Sequence, residues 1–213
     1  MTSKLGNMPI NQQPMSQAET KTPSTNHPSG RGVNIWHQRH QQYPATLLFL
    51  HFKEGEPMKE ASLESIRNLF SERYWFRNWP NPTVQAVAAG VYVVWQGDQL
   101  IYAGMSGRQI EKNLGKKKYG LVTRLDSHAN GRLSGDQFNV YVANRLVIPG
   151  LVPSQLPRFA DGSLTLDLLT RQYIHQHFQY QYLIVDHSKE AFTLEKKCQG
   201  GEIFGQKPLL NPL

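Results

Sequence analysis

The sequence predicts an α+β fold in which a small, mainly antiparallel sheet is flanked by helices. Residues 91–95 combine β-branched and aromatic side chains, and this pattern resumes at residues 100–102 after a Gly-Asp pair at 97–98. That arrangement is typical of a β-hairpin. Apolar residues at helical spacing precede the hairpin at residues 63–70 and follow it at residues 121–129, which places helices on both sides of it in the sequence.

The chain, at 213 residues, is long enough for one substantial core with an appendage. Its start is rich in Gln, Asn, Ser, Thr and Pro, and such a segment buries too little apolar surface to offset its ordering entropy. An aromatic cluster at residues 74–79, mixed with Arg67, Arg73 and Arg77, fits a nucleic-acid surface or, more commonly, the packing of an accessory helix. We therefore predict a disordered tail (1–32), an accessory helical extension (33–82) and a main domain (83–213).

The composition of the chain indicates the cellular compartment of the protein and the class of partner that it binds. The formal net charge is +7, which suits a polyanion such as DNA because Lys and Arg release counterions from phosphates. A single cysteine, Cys198, excludes an internal disulfide and an all-cysteine zinc site. No apolar run reaches the length of a membrane span, and the polar start lacks the apolar core of a signal peptide. We expect a cytoplasmic protein with no membrane association.

The hairpin carries two tyrosines, Tyr92 and Tyr102, on neighbouring strands. A regular two-residue turn would place Tyr92 opposite Ala103, so the two tyrosines would face opposite sides of the sheet. A loop with an odd number of residues, or a bulge, would place Tyr92 opposite Tyr102. Because one site needs both rings on one side, we predict the odd or bulged register.

The next helix is predicted from Gly120 to about Asn130, with Gly131 ending it. Arg124 and His128 lie four residues apart and therefore share one face of this helix. By themselves they fit an exposed polar face. The loop before the helix carries the basic residues Arg108, Lys116, Lys117 and Lys118; three adjacent lysines fit a solvated loop or, about as well, a loop that contacts phosphates.

The second half of the chain alternates further predicted strands and helices. Residues 138–143 alternate as a third strand, residues 182–185 form a short strand, and the last helix runs from about Lys189 to Cys198. The chain then ends in an apolar segment fixed by prolines, at residues 207–212, which indicates a tail that docks on the domain.

These residues together resemble the GIY-YIG nuclease superfamily. The resemblance covers about residues 88 to 213 and rests on five short elements in the family's order. They are Gly90-Val91-Tyr92, Tyr102-Ala103-Gly104, Arg124 to His128, Leu194-Glu195, and Pro208-Leu209-Leu210-Asn211. The segment between the predicted third strand and Glu195 is longer than the family's minimal module, so the acidic residue has a second candidate in Glu202.

The resemblance implies metal-dependent hydrolysis of DNA phosphodiester bonds. Glu195 would hold one Mg²⁺, or Mn²⁺ in its place, since a hard cation with several waters needs few protein ligands. Arg124 would bind the scissile phosphate. Tyr92 would activate or position the attacking water, and His128 would assist by lowering its pKa or relaying the proton. Tyr102 would contact the phosphate or the water, and Asn211 would hold other catalytic groups by hydrogen bonds.

Two other functions remain open from the sequence. The first is a nucleic-acid-binding module of the same fold that does not cut, although Glu195 would repel phosphate in such a protein. The second is an unrelated α+β structural protein. For a nuclease, the sequence leaves open the DNA recognised, the biological role and the oligomeric state. Since one site cuts one strand, a double-strand break requires a homodimer or two successive events.

Overall fold

A mostly antiparallel sheet of five strands organises residues 60–211, the part of the chain that the computed structural model describes. The predicted tail at 1–32 and the extension as far as residue 59 lie outside the described residues. The strands are β1 (Tyr74–Trp75), β2 (Val87–Gln96), β3 (Gln99–Ser106), β4 (Tyr119–Gly120) and β5 (Gln179–Val185). The helices are α1 (Glu60–Arg67), α2 (Ile110–Asn113), α3 (Leu121–Asn130), α4 (Gln137–Val142), α5 (Leu156–Ala160), α6 (Leu166–His177) and α7 (Ser188–Gly200). None of these helices is long and apolar enough to cross a membrane.

Strand β2 lies at the centre of the sheet. The order is β1-β5-β2-β3 with antiparallel neighbours, and the short strand β4 pairs with the start of β2 in parallel. Every residue of β2 from Ala88 to Trp95 is buried, which requires cover on both faces of the sheet because successive side chains point to opposite faces. The predicted α+β class, with a mainly antiparallel sheet and flanking helices, is confirmed.

The two faces of β2 pack against different helices. Tyr92 and Val94 belong to one apolar cluster with residues of α3, α4 and α6, including the fully buried Leu125. The alternating residues Val91 and Val93 are equally buried. Helix α7 contacts β2 and β3 and buries Ala191, Leu194 and Cys198. The C-terminal helix therefore closes the sheet on the side away from the tyrosines.

The hairpin of β2 and β3 contains a bulge that brings the two tyrosines to one face. Trp95 pairs with Leu100, but Val94 pairs with Tyr102, so Ile101 is the additional residue. Tyr92 then pairs with Gly104, and paired residues share a face. The predicted shared face and bulged register are confirmed. The predicted pairing of Tyr92 directly opposite Tyr102 is wrong, because the two residues are diagonal neighbours.

The predicted third strand at residues 138–143 is wrong, since these residues form α4 and a π-helical extension, Ala143–Val147. Asp136 is the N-cap of α4, and its side chain accepts hydrogen bonds from the backbone N–H groups of Phe138 and Asn139. The buried residues Phe138, Asn139, Val142 and Ala143 follow a helical spacing. The cap satisfies the first N–H groups and so favours a helix over the strand pattern.

The segment before β2 packs directly on the sheet. Strand β1 pairs with β5, and the Ser71 N–H donates to the Tyr182 carbonyl at 2.9 Å. Phe76 is fully buried, and the Trp79 indole N–H donates to Asp126 of α3 at 2.8 Å. The aromatic residues between α1 and β2 therefore anchor this segment to the domain.

The C-terminal segment docks along β3, as predicted. The backbone N–H groups of Leu209 and Leu210 donate to the carbonyl oxygens of Leu100 and Ile101 at 3.1 and 2.8 Å. Ile101 is the bulged residue, so the same irregularity that turns Tyr102 also presents a carbonyl to the terminus. Leu210 is buried, which fixes the segment in place.

Candidate active site

A cleft of about 690 Å³ opens beside the tyrosine face of β2 and β3. Its walls come from both strands, the loop after β3, the short strand β4, helix α3, the start of α4 and one residue of α7. The polar residues that line it are Tyr92, Tyr102, Ser106, Arg108, Tyr119, Thr123, Arg124, Ser127, His128, Asp136, Gln137 and Glu195. Five of the six predicted catalytic residues therefore line one cleft.

The two tyrosines lie with ring centroids 6.3 Å apart. Burial raises the pKa of Tyr92 well above its ordinary value, the neighbouring Tyr102 adds to the rise, and the positive charge of Arg124 opposes it. Burial, with a further contribution from Glu195, raises the pKa of Tyr102 to about 12. Both phenols are therefore protonated at neutral pH, and neither is a free phenolate base.

Steric contacts explain why each of the two tyrosine motifs contains a glycine. A Cβ at Gly104 would overlap the hydroxyl oxygen of Tyr92 and lie 3.0 Å from a ring carbon of Tyr102. At Gly90, a Cβ would overlap the carbonyl oxygen of Leu183 on β5. Because Gly104 has no side chain, the Tyr92 hydroxyl can occupy the space in which a Cβ would lie.

His128 connects the tyrosine to helix α3. It lies on the buried face of the helix and is only 1 % exposed. Its Nε2 lies 2.8 Å from the Tyr92 hydroxyl oxygen, and the Phe138 ring packs against it with centroids 4.5 Å apart. The helix ends as predicted at Gly131, which adopts the left-handed conformation at φ 67°.

Asp136 completes a buried chain of polar groups that the sequence did not reveal. Its Oδ2 lies 2.7 Å from Nδ1 of His128, and its Oδ1 accepts the N–H groups of Phe138 and Asn139 at 3.0 and 3.4 Å. Tyr92, His128 and Asp136 are all at most 2 % exposed. Asp136 could have been recognised in the sequence as a helix N-cap residue soon after His128. The residues that it caps, however, have the alternating pattern of a strand.

The ionisation of this pair follows from its surroundings. Burial lowers the pKa of His128, and the Asp136 carboxylate only partly opposes that effect. For Asp136, burial raises the pKa, but hydrogen bonds from His128 and its other neighbours outweigh burial and leave the pKa below its usual value. At neutral pH, Asp136 is a carboxylate and His128 is a neutral imidazole.

Arg124 supplies the positive charge of the cleft. It lies one helical turn before His128, its side chain is exposed, and it lines the cleft. Within residues 60–211, no hydrogen bond or ion pair engages its guanidinium. A guanidinium that has no carboxylate partner remains available for a phosphate, which it binds through two parallel hydrogen bonds.

Glu195 reaches the cleft from α7 around the outer edge of β3. Its Oε1 accepts the Met105 N–H at 3.0 Å, and this N–H points away from β2. Burial raises the pKa of Glu195, opposed first by the Met105 hydrogen bond and then by nearby basic residues, including Arg124. The alternative acid, Glu202, does not line the cleft and pairs with Lys197 at 3.1 Å.

Asn211 fixes the same edge of β3 but does not line the cleft. Its Oδ1 accepts the Ala103 N–H at 2.7 Å, and its Nδ2 donates to the Ala103 carbonyl at 2.8 Å. Ala103 lies between Tyr102 and Gly104, so Asn211 holds the backbone that carries the second tyrosine. Among the described residues it makes no hydrogen bond to the side chain of another predicted catalytic residue, so the predicted role of Asn211 in holding those side chains by hydrogen bonds is wrong.

The predicted nucleic-acid-binding residues divide into two groups. Arg108 lines the cleft. Lys116, Lys117 and Lys118 lie exposed on the turn before β4, outside the cleft, with the Lys116 ammonium 5.1 Å from the centroid of the Tyr119 ring. Tyr119 itself lines the cleft. Lys116 therefore lies beside a residue of the cleft wall.

Glu195 offers the cleft a single carboxylate for a cation. Within residues 60–211, no group of three or more His, Cys, Asp and Glu side chains is arranged to hold a metal ion. The second oxygen of Glu195 accepts no hydrogen bond from the described residues, and Glu195 lines the cleft. This donor set fits Mg²⁺, which keeps several waters and binds through one or two carboxylates and a phosphate.

No protein-family model, curated protein or solved structure matches the chain. The resemblance to the GIY-YIG superfamily thus rests on the sequence motifs alone.

Proposed function

We propose that the protein is a metal-dependent endonuclease of the GIY-YIG type that hydrolyses DNA phosphodiester bonds. The observation that carries the proposal is the meeting of Tyr92, Tyr102, Arg124, His128 and Glu195 at one cleft. These residues come from four elements, the hairpin strands β2 and β3 and the helices α3 and α7. A nucleic-acid-binding module has no need for a buried tyrosine–histidine pair or for a carboxylate that repels phosphate.

Tyr92 and His128 activate the water together. As the water oxygen attacks phosphorus, its proton passes to the Tyr92 hydroxyl oxygen, and the Tyr92 proton passes to Nε2 of His128. The 2.8 Å separation is suited to that transfer. The raised pKa of Tyr92 disfavours a free phenolate, and the concerted transfer avoids one. The phosphorus–oxygen bond to the leaving group breaks, and the leaving oxygen takes a proton from solvent.

Arg124 stabilises the negative charge that develops on the phosphate oxygens. Its guanidinium has no carboxylate partner among the described residues, so it is free to form charge-assisted hydrogen bonds in the transition state. Tyr102, protonated at neutral pH, donates its hydroxyl hydrogen to a phosphate oxygen or orients the water.

Glu195 holds the metal ion in this proposal. A bound Mg²⁺ or Mn²⁺ supplies Lewis-acid stabilisation of the phosphate and the leaving oxygen. The hydrogen bond from Met105 orients the carboxylate, leaving its second oxygen for the ion. Glu195 lies on α7, whereas the Tyr92–His128 pair lies on β2 and α3, so the residue that would hold the ion and the pair that would activate the water come from different elements.

The DNA backbone enters past the basic residues. Arg108 in the cleft and Lys116, Lys117 and Lys118 beside it contact phosphates flanking the scissile bond. Such contacts release counterions, so binding weakens steeply as salt concentration rises.

The test uses supercoiled plasmid incubated with the full chain, with Mg²⁺ or with excess EDTA. The proposal expects nicked circles with Mg²⁺ and none with EDTA, and linear product if two copies or two events act together. The measurement is repeated with Arg124→Ala, which is expected to lower the rate by on the order of 100-fold or more. Salt-sensitive DNA binding without any cleavage would instead identify a nucleic-acid-binding module.

A further inference from the structure

We propose that Asp136 is a positioning residue that fixes the tautomer of His128, so that Nε2 is free to take the proton of Tyr92. The inference rests on the proposed function for its catalytic consequence, but the tautomer itself is a property of the protein alone. Asp136 belongs to none of the motifs that suggest the family.

The geometry of the three groups assigns the direction of each hydrogen bond. An ionised carboxylate only accepts hydrogen bonds, so Oδ2 of Asp136, 2.7 Å away, requires the hydrogen on Nδ1 of His128. In the neutral ring, Nε2 is then unprotonated and accepts the hydrogen bond from the Tyr92 hydroxyl at 2.8 Å. The tyrosine proton therefore already points to the atom that receives it.

Asp136 is itself held by the backbone. Its second oxygen, Oδ1, accepts the N–H groups of Phe138 and Asn139, so the carboxylate cannot turn without breaking the cap of α4. The His128 ring is packed between the Tyr92 and Phe138 rings, with centroid distances of 5.3 and 4.5 Å. Both partners are thus preorganised before substrate arrives.

The carboxylate also acts during the reaction. When His128 takes the proton from Tyr92, the ring becomes an imidazolium in a site that excludes water. An ionised Asp136 at hydrogen-bond distance stabilises that cation, whereas a neutral group does so less well.

A purely structural role for Asp136, as the N-cap of α4, makes a different prediction. Asn is as good an N-cap as Asp, so Asp136→Asn preserves the cap. With Oδ1 still held by the two backbone N–H groups, the new amide nitrogen replaces Oδ2 and donates a hydrogen bond toward Nδ1. The hydrogen of His128 then moves to Nε2, where it faces the Tyr92 oxygen and blocks the transfer.

The experiment measures the tautomer directly in the metal-free, DNA-free protein. Long-range ¹H–¹⁵N correlation spectra of the ¹⁵N-histidine-labelled full chain at pH 7.5 identify which ring nitrogen carries hydrogen, and His128→Gln assigns the signal. Asp161→Asn is the matched control, because Asp161 also accepts a backbone N–H, that of Ser163 at 2.8 Å, but lies outside the cleft. Plasmid nicking in Mg²⁺ is measured on the same samples.

We expect hydrogen on Nδ1 in the wild type and in Asp161→Asn, and on Nε2 in Asp136→Asn. Nicking by Asp136→Asn falls on the order of 100-fold, the lower part of the range for general-base catalysis, while Asp161→Asn keeps the wild-type rate. Hydrogen on Nε2 in the wild type, an unchanged tautomer in Asp136→Asn, or a wild-type rate in that variant would each overturn the proposal. If the wild type cuts no DNA, the proposed function fails, and the spectra still decide whether Asp136 sets the tautomer.

Discussion

Gly104→Ala should displace Tyr92 and thereby reduce both stability and cleavage. The added Cβ would overlap the Tyr92 hydroxyl oxygen and would lie 2.7 Å from its Cζ and 3.0 Å from Cε1 of Tyr102. The Tyr92 ring has no free space, because Tyr92 is 2 % exposed and its hydroxyl is bonded to His128. Overpacking of this kind costs about 1–3 kcal/mol, which corresponds to a decrease in Tm of roughly 2–12 °C for a domain of this size.

The effect on cleavage should exceed the effect on stability. A shift of Tyr92 by about 1 Å breaks the alignment with His128, and misplacements of that size cost on the order of 100-fold in rate. Thermal unfolding and plasmid nicking, measured in parallel, give the two quantities. Gly150→Ala is the control, since a Cβ there meets nothing within 4 Å.

A double variant separates the steric cause from others. Removing the Tyr92 hydroxyl with Tyr92→Phe relieves the closest overlap, so Gly104→Ala should destabilise the Tyr92→Phe background less than it destabilises the wild type. If Gly104→Ala left both Tm and the nicking rate unchanged, the packing described around Tyr92 would be incorrect.

Three further predictions concern other parts of the site and core. Asn211→Ala removes both hydrogen bonds to Ala103 and should lower the free energy of unfolding by about 1–3 kcal/mol in a urea titration; an unchanged midpoint would show that the docked terminus contributes nothing. Burial lowers the pKa of His128, so the unfolded chain binds its proton at a higher pH than the folded chain, and stability should fall as pH drops below about 6.5. In His128→Gln, Tm should change less with pH below about 6.5 than in the wild type. Equal slopes of the two Tm–pH curves in that range would contradict the lowered pKa of His128. Burial raises the pKa of the Cys198 thiol, so a thiol reagent should modify it only after denaturant is added, and rapid modification of the native protein would refute its burial.

The sequence predicted the hairpin and the shared face of its tyrosines, but it did not predict how that face is achieved. The turn is the regular two-residue turn at residues 97–98, and a bulge at Ile101 brings the two tyrosines to the same face. A bulge leaves no composition signal in an apolar strand. It is stabilised by a distant segment, since the Ile101 carbonyl accepts the Leu210 N–H.

The wrong prediction of a strand at residues 138–143 explains why the sequence did not reveal the role of Asp136. Alternating apolar residues favour a strand locally, whereas the N-cap and the burial of Phe138, Asn139 and Val142 select a helix. Asn139 also donates hydrogen bonds to the Ser127 and Arg132 carbonyls, which ties α4 to the end of α3. Tertiary contacts of this kind outweigh local propensity and cannot be derived from spacing.

Glu195 and Asn211 were identified through the resemblance, and the structure supplies a common physical reason for their positions. Both side chains accept N–H groups on the outer edge of β3, at Met105 and Ala103. An unpaired strand edge needs such partners. The hydrogen bond from Met105 therefore also fixes where the Glu195 carboxylate enters the cleft.

The most direct test of the proposed metal-dependent active site compares Glu195→Gln with Glu202→Gln in single-turnover plasmid nicking with Mg²⁺. Both changes remove one carboxylate from the same end of the chain, but only Glu195 lines the cleft. We predict that Glu195→Gln abolishes Mg²⁺-dependent nicking while Glu202→Gln retains the wild-type rate. Full Mg²⁺-dependent nicking by Glu195→Gln would contradict the assignment of this cleft as the metal-dependent active site.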